Sequence, residues 1–282
     1  MTAPTTPHVD IHRAGDRMKT RISWLDSKHS FSFGQHYDPD NTHHGVLMVN
    51  NDDIVMPGQG FDTHPHRDME IVTWVLRGSL VHQDSIGHSG VIYPGLAQRM
   101  SAGTGILHSE KNDSWRLAGS QHDEHAEPVR FIQMWVLPDE PGISPGYEQL
   151  EIDDELMRGG LVPVASGMPA HRNQSAITIA NRGAALHVAR LQPGGSVQLP
   201  RPPTCIFSSH RAKCRWRERG SSPRVTRSGS PRRAVSDCPP TPRPRCWSGR
   251  CTAASAADRR RGSTVDRDRA AERRGRGDRE DG

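Results

Sequence analysis

The sequence predicts an all-β protein, one β-barrel followed by the opening of a second, similar β-domain. Three observations carry that reading. Between residues 18 and 200, short apolar or alternating runs recur, separated by clusters of Gly, Pro, Asn and Asp. The first 140 residues show no sustained helical period, so a layered α/β architecture is not expected. Near residue 200 the composition changes abruptly, which bounds the foldable part. Residues 1–200 hold 15 Lys and Arg against 23 Asp and Glu (15 − 23 = −8), whereas 201–282 hold 22 against 9 (22 − 9 = +13). All five cysteines lie beyond residue 200, so neither disulfides nor thiolate ligands are available to the first part.

In chain order, residues 1–17 read as a flexible arm. Trp24 to Gly34 alternates aromatic with small polar residues, the period of a half-buried strand. Asp38-Pro39-Asp40-Asn41 is a turn cluster. Val46 to Asn50 forms a short apolar strand, Asp52-Asp53 a solvated turn, and Ile54 to Gly58 resumes the chain. Met69 to Leu76 is rich in β-branched and aromatic residues and stops at Arg77-Gly78, as a central strand entering a hairpin would. Leu80 to Asp84 starts the return strand, Gly87 to Gly90 turns, and Val91 to Gly95 leads through Met100 to the bend Gly103-Thr104-Gly105. Ile106 to Glu110 and Val129 to Leu137 are further strands, the second stopped by Pro138. From Tyr147 a new set begins, with one short helix at Asp153 to Met157 and strands around Leu161–Val164, Ala176–Ile179 and Ala185–Leu191. The expected division is 18–140 for the N-terminal domain and 141–200 for the start of the C-terminal one.

Residues 201–282 abound in Arg, Pro, Ser and Gly and cannot bury enough apolar surface to offset their ordering entropy. A disordered basic tail is expected there. Its charge would suit nucleic acid, yet an out-of-frame segment fits better. Read one base earlier, the codons of Pro203 to Gly220 permit two strands around a Ser-Gly-Glu turn, which the interrupted domain lacks. With −8 on the foldable part, no nucleic-acid partner is expected. No apolar run approaches the roughly 18 residues of a membrane span, and Met1 to Asp10 lacks the apolar core of a signal peptide. The expectation is a cytoplasmic protein without a membrane partner.

Two polar pairs stand out, His64-Pro65-His66 and His108-Ser109-Glu110. Each has i, i+2 spacing, which on a strand puts both side chains on one face. Two such strands facing each other in a small barrel would bring three imidazoles and a carboxylate to one point. Nitrogen and oxygen donors of that kind suit a divalent transition metal and leave positions open for other ligands. Each pair also sits in its own glycine frame, the first between Gly58 and Gly78, the second after Gly95. No glycine-rich phosphate loop and no Ser/His/Asp order competes with this site.

These frames resemble the two motifs of the cupin superfamily, and their wording resembles the pirin family. The residues concerned are Trp24-Leu25-Asp26-Ser27, Phe31-Ser32-Phe33, His64 to Glu70 and Met100 to Glu110, within a likeness spanning about residues 10–200. The resemblance implies two tandem cupin (double-stranded β-helix) barrels, here with the second truncated and followed by the disordered tail. It implies metal ligands at His64, His66, His108 and Glu110, with Glu110 also the catalytic carboxylate. Fe(II) is the implied metal, other divalent transition metals being acceptable. The implied activity is that of a quercetin 2,3-dioxygenase, taking a flavonol-like aromatic and O2 to a depside with loss of carbon monoxide. The alternative it implies is a non-catalytic, redox-sensing iron protein with a regulatory protein partner. Glu70, four residues after His66, occupies the place where many cupins carry their carboxylate and is assigned a supporting or spare-base role.

The remaining polar and aromatic residues receive plainer readings. His43, His44, His122 and His125 have no glycine frame and are read as surface residues. Trp74, Phe131, Met134 and Trp135 are read as barrel core. Gln133 either faces the metal or satisfies a backbone group.

Overall fold

The structure, a computed structural model, describes residues 12–113 and 127–200, and the backbone of two short segments in the basic tail. The strands are β1 (Met18–Arg21), β2 (Leu25–His29), β3 (Leu47–Val55), β4 (Gly60–His66), β5 (Glu70–Arg77), β6 (Leu80–Asp84), β7 (Ser89–Ile92) and β8 (Leu96–Ser101). They continue as β9 (Ile106–Lys111), β10 (Val129–Val136), β11 (Gly146–Glu151), β12 (Val162–Ser166), β13 (Ile177–Thr178) and β14 (Ala184–Leu191). The tail contributes β15 (Thr204–Ser209) and β16 (Gly249–Ala256); its other residues, like His122 and His125, lie outside the described residues. The helix α1 is Asp153–Met157, as the sequence predicts. Among the described residues no helix is long and apolar enough to cross a membrane.

A seven-stranded sheet runs in the order β1-β2-β3-β10-β5-β8-β11, and a four-stranded sheet in the order β4-β9-β6-β7. Their facing sides form the barrel. At one end Leu25, Val55, Val75 and Phe131 of the large sheet pack against Leu80 and Ile92 of the small one. At the other, Ile71 and Met100 meet Ile106. Between these two apolar plugs lies a band of polar side chains, and the site is there.

The outer face of the large sheet is also covered. Val72, Trp74, Ile132 and Met134 pack against Val164, Ala165, Leu186 and Val188 of a five-stranded sheet ordered β13-β12-β14-β16-β15. Burial on both faces explains why β5 and β10 read as near-continuous apolar runs. It also confirms Trp74, Phe131 and Met134 as core.

Two sequence expectations are corrected. Asp52 and Asp53 form no solvated turn; both are buried in the middle of β3, which runs unbroken from Leu47 to Val55. Arg130 on the neighbouring strand holds Asp52 through two hydrogen bonds of 2.8 and 2.6 Å, and Ser27 donates to Asp53. Cross-strand partners thus satisfy the polar pair, as burial requires. The chain from Tyr147, assigned by sequence to the second unit, instead forms β11, paired with β8 at the edge of the barrel's large sheet.

Candidate metal centre

The strand β4 lies antiparallel to β9, with His64 opposite His108 and His66 opposite Ile106. Between Phe61 and His64 the register shifts, so three residues on β4 span two on β9. Such a bulge lets Phe61 and His64 both face inward despite their odd spacing. Pro65, which donates no backbone hydrogen bond, is tolerated because β4 is an edge strand. On β9 the alternation is regular: Ile106, His108 and Glu110 are buried, and Leu107 is exposed.

The three imidazoles predicted from sequence converge. The ring centroids lie 4.8 Å apart for His64 and His66, 4.5 Å for His64 and His108, and 4.9 Å for His66 and His108. His64 Nδ1 is 2.6 Å from the Asp62 carbonyl oxygen, which accepts its proton and leaves Nε2 as a free lone pair. That Nε2 lies 3.1 Å from His108 Nε2. Burial, reinforced by His108 and then His64, pushes the His66 imidazolium down to about 4. Burial, then His64 and His82, push His108 down to about 3. At neutral pH both are uncharged and ready to donate lone pairs. Lone-pair nitrogens gathered this closely fit a divalent cation.

Glu110 stands beside this cluster. Its Oε2 accepts a hydrogen bond from Gln133 Nε2 at 2.7 Å, and its Oε1 one from the Thr73 hydroxyl at 3.3 Å. Gln133, left open by sequence, therefore faces the site. Among the described residues two groups of three can hold a metal, His64-His66-His108 and His82-His108-Glu110, each with its ligand atoms within 4.8 Å of one another. His108 belongs to both groups, and Glu110 falls in the one it shares with His82.

Comparison with known proteins follows the same lines. The sequence profile of the family described as Pirin matches residues 11–136. A Mycobacterium tuberculosis protein bearing the name "Putative quercetin 2,3-dioxygenase" is 64% identical over 198 residues, which is 70% of this chain and 76% of that protein. The chain belongs to the pirin family. An Escherichia coli protein named quercetin 2,3-dioxygenase is 46% identical over 145 residues, 51% of this chain and 58% of that one. Among solved structures, the bacterial pirin YhhW of Escherichia coli in complex with nickel(II) is 36% identical, covers 72% of this chain and 75% of its own, and superposes with a TM-score of 0.54. The all-β cupin architecture expected from the motifs is thus the pirin one.

Within this pirin-family site, several residues differ from the sequence reading. Glu70 faces away from the imidazole cluster. Its strand begins after a turn at Arg67-Asp68, where Asp68 takes a φ of +49°, so the two-residue period of β4 does not carry through. Glu70 shares the outer face with Val72 and Trp74, and its carboxylate accepts the Ala180 backbone N–H at 3.0 Å. Trp135 packs half-buried against the Ile71, Met100 and Ile106 cluster and also borders the site: its ring stands edge-on to His66 at 4.8 Å and to Phe33 at 5.7 Å, and its N–H donates to Gln133 Oε1. His43 is exposed as expected, but His44 is half-buried and borders an apolar cavity against Val72 and Met134.

Sequence reasoning missed His82, which is fully buried and lies opposite Glu110 in the β6–β9 register. A signal was present. His82 and Asp84 repeat the i, i+2 spacing of the two recognised pairs on the strand between them in sequence. Asp53 was also missed. Burial, aided by Glu110 and Asp52, raises its carboxyl to about 7 despite the Ser27 hydrogen bond, placing a second acid near Glu110.

Proposed function

We propose that this chain is a metal-dependent dioxygenase that opens a flavonol such as quercetin with O2, and that His64, His66, His108 and Glu110 hold its ion. Fe(II) is the metal we favour for the cell; imidazole-rich shells also accept nickel, cobalt, manganese and copper. The observation that carries the reading is the meeting of three inward-facing imidazoles beside a buried, doubly hydrogen-bonded carboxylate. Names given to relatives support it.

A bound divalent ion would supply Lewis-acid activation of the substrate hydroxyl and of O2. The rest falls to the chain's own residues. His64 and His66 are only half-buried, whereas His108 and Glu110 are buried, so the site opens on the β4 side. Trp135 and Phe33 line that side and offer aromatic edges and faces to a planar polyphenol. Glu110 is the group placed to accept the flavonol's hydroxyl proton. Gln133 orients it, and Gln133 is in turn held by the Trp135 indole N–H. The overall reaction is balanced: quercetin and O2 give one depside and one carbon monoxide.

The test is direct. Metal-stripped full-length protein is loaded anaerobically with Fe(II), and separately with Ni(II), Mn(II) and Co(II), then given quercetin and air. Loss of the flavonol absorption with one CO released per O2 consumed is the expected result with at least one metal. Absence of turnover with every metal and with several flavonols, in protein that retains the ion, would transfer the site to the redox-sensing, partner-binding role.

A further inference from the structure

Behind His108 the barrel continues the hydrogen-bonded chain. Asp84 has a side chain with no exposure at all. Its Oδ1 accepts the backbone N–H groups of Ile86 at 3.1 Å and His88 at 2.9 Å. Its Oδ2 faces His88 Nδ1 at 3.0 Å and His82 Nε2 at 3.4 Å. The other nitrogen of His82 lies 3.5 Å from His108 Nδ1. Tyr147 stacks on both rings, at 4.9 Å from His82 and 5.3 Å from His88.

The donor and acceptor roles along this chain follow from one end. An ionised carboxylate can only accept, so Asp84 Oδ2 accepts and His82 carries its proton on Nε2. A neutral His82 then presents a lone pair at Nδ1. His108 answers with Nδ1–H and is left with a lone pair on Nε2, the nitrogen that faces His64. The same end state is what a metal-binding imidazole needs, and carboxylates commonly enforce it directly. Here a second imidazole is interposed.

We propose that Asp84 and His82 are positioning residues: acting through His82, the buried carboxylate fixes the His108 tautomer and turns its Nε2 lone pair toward the ion. The inference rests on the metal shell proposed above and extends it by two residues that do not touch the ion in that shell.

The discriminating variant is Asp84→Asn. Asparagine keeps the shape and, with its oxygen held by the two backbone N–H groups, places an NH2 against His82 Nε2. The chain of roles reverses, and His108 is driven to carry its proton on Nε2, against the ion. Affinity for Ni(II), measured on the full-length protein by competition with a chelating indicator, should fall about 10–100-fold. His82→Phe keeps the ring stacked on Tyr147 but removes both nitrogens, and should cost a similar factor. His88→Ala removes a donor from the same carboxylate oxygen without interrupting the path, and should change affinity less than about twofold, well short of the cost of a lost orienting partner. Proton spectra of Co(II)-loaded protein give a second reading: an exchangeable, metal-shifted N–H signal from His108 should be present in the unaltered protein and absent from Asp84→Asn. Equal affinities for Asp84→Asn and the unaltered protein, or a His88→Ala loss as large as that of Asp84→Asn, would overturn the proposal while leaving the shell intact. Failure of the unaltered protein to bind Ni(II) would overturn both.

Discussion

His108→Ala yields a folded protein that no longer retains metal through dialysis and no longer consumes quercetin. His108 is the one residue common to both triads that can hold an ion, so its removal dissolves each of them. The loss in affinity should exceed the roughly 10–100-fold attached to orienting partners, because a ligand rather than its support is gone. Glu70→Gln is the matching control. Its carboxylate points away from the barrel interior toward Ala180, so metal content per chain should be unchanged. Metal analysis of both purified variants after equilibrium dialysis checks the pair. Equal loss from Glu70→Gln would restore the carboxylate that the sequence offers as an alternative.

Gly60→Ala should cost metal binding although it alters no ligand. Gly60 has a φ of +154°, and a Cβ built there would sit 2.2 Å from the Glu110 carbonyl oxygen and 2.7 Å from Lys111 Cα. Both obstacles are backbone, so neither can rotate aside. The strand β4 must move off β9, and that separates His64 and His66 from His108 and Glu110. The strained backbone alone costs about 1–3 kcal/mol, and broken β4–β9 pairing adds to it. Gly58→Ala makes the comparison clean: its φ is +69°, but a Cβ would meet nothing within 4 Å. That variant should lose only about 1–2 kcal/mol, the left-handed penalty by itself, and keep its metal. Denaturant unfolding of the metal-free proteins, together with Ni(II) titration, reads both effects.

The parts of this site that are legible in sequence are those governed by a two-residue period on an uninterrupted strand. His64, His66, His108 and Glu110 are such cases, and their cross-strand meeting follows from β4 pairing with β9. Glu70 was misplaced because one residue in a left-handed conformation, Asp68, resets the facing between β4 and β5. Composition gives no sign of that, since aspartate occupies this conformation only occasionally. Asp52 and Asp53 read as solvent-loving, and tertiary pairing, with Arg130 and Ser27 among the partners, makes their burial tolerable. Trp135 shows the converse: an aromatic on a central strand faces the site because it shares the inward side of β10 with Phe131 and Gln133. The 198 residues of likeness to the mycobacterial relative agree in length with the part that precedes the change in charge and cysteine content.

The central claim is that the side chains of β4 and β9 close on a single ion inside the barrel. Anomalous diffraction at the nickel edge, from crystals of the protein loaded with one equivalent of Ni(II), tests it most directly. One strong peak is expected, about 2.0–2.2 Å from the Nε2 atoms of His64, His66 and His108 and from a carboxylate oxygen of Glu110, the usual range for such ligands. A peak held instead by a surface histidine such as His43, with the barrel site empty, would contradict the account.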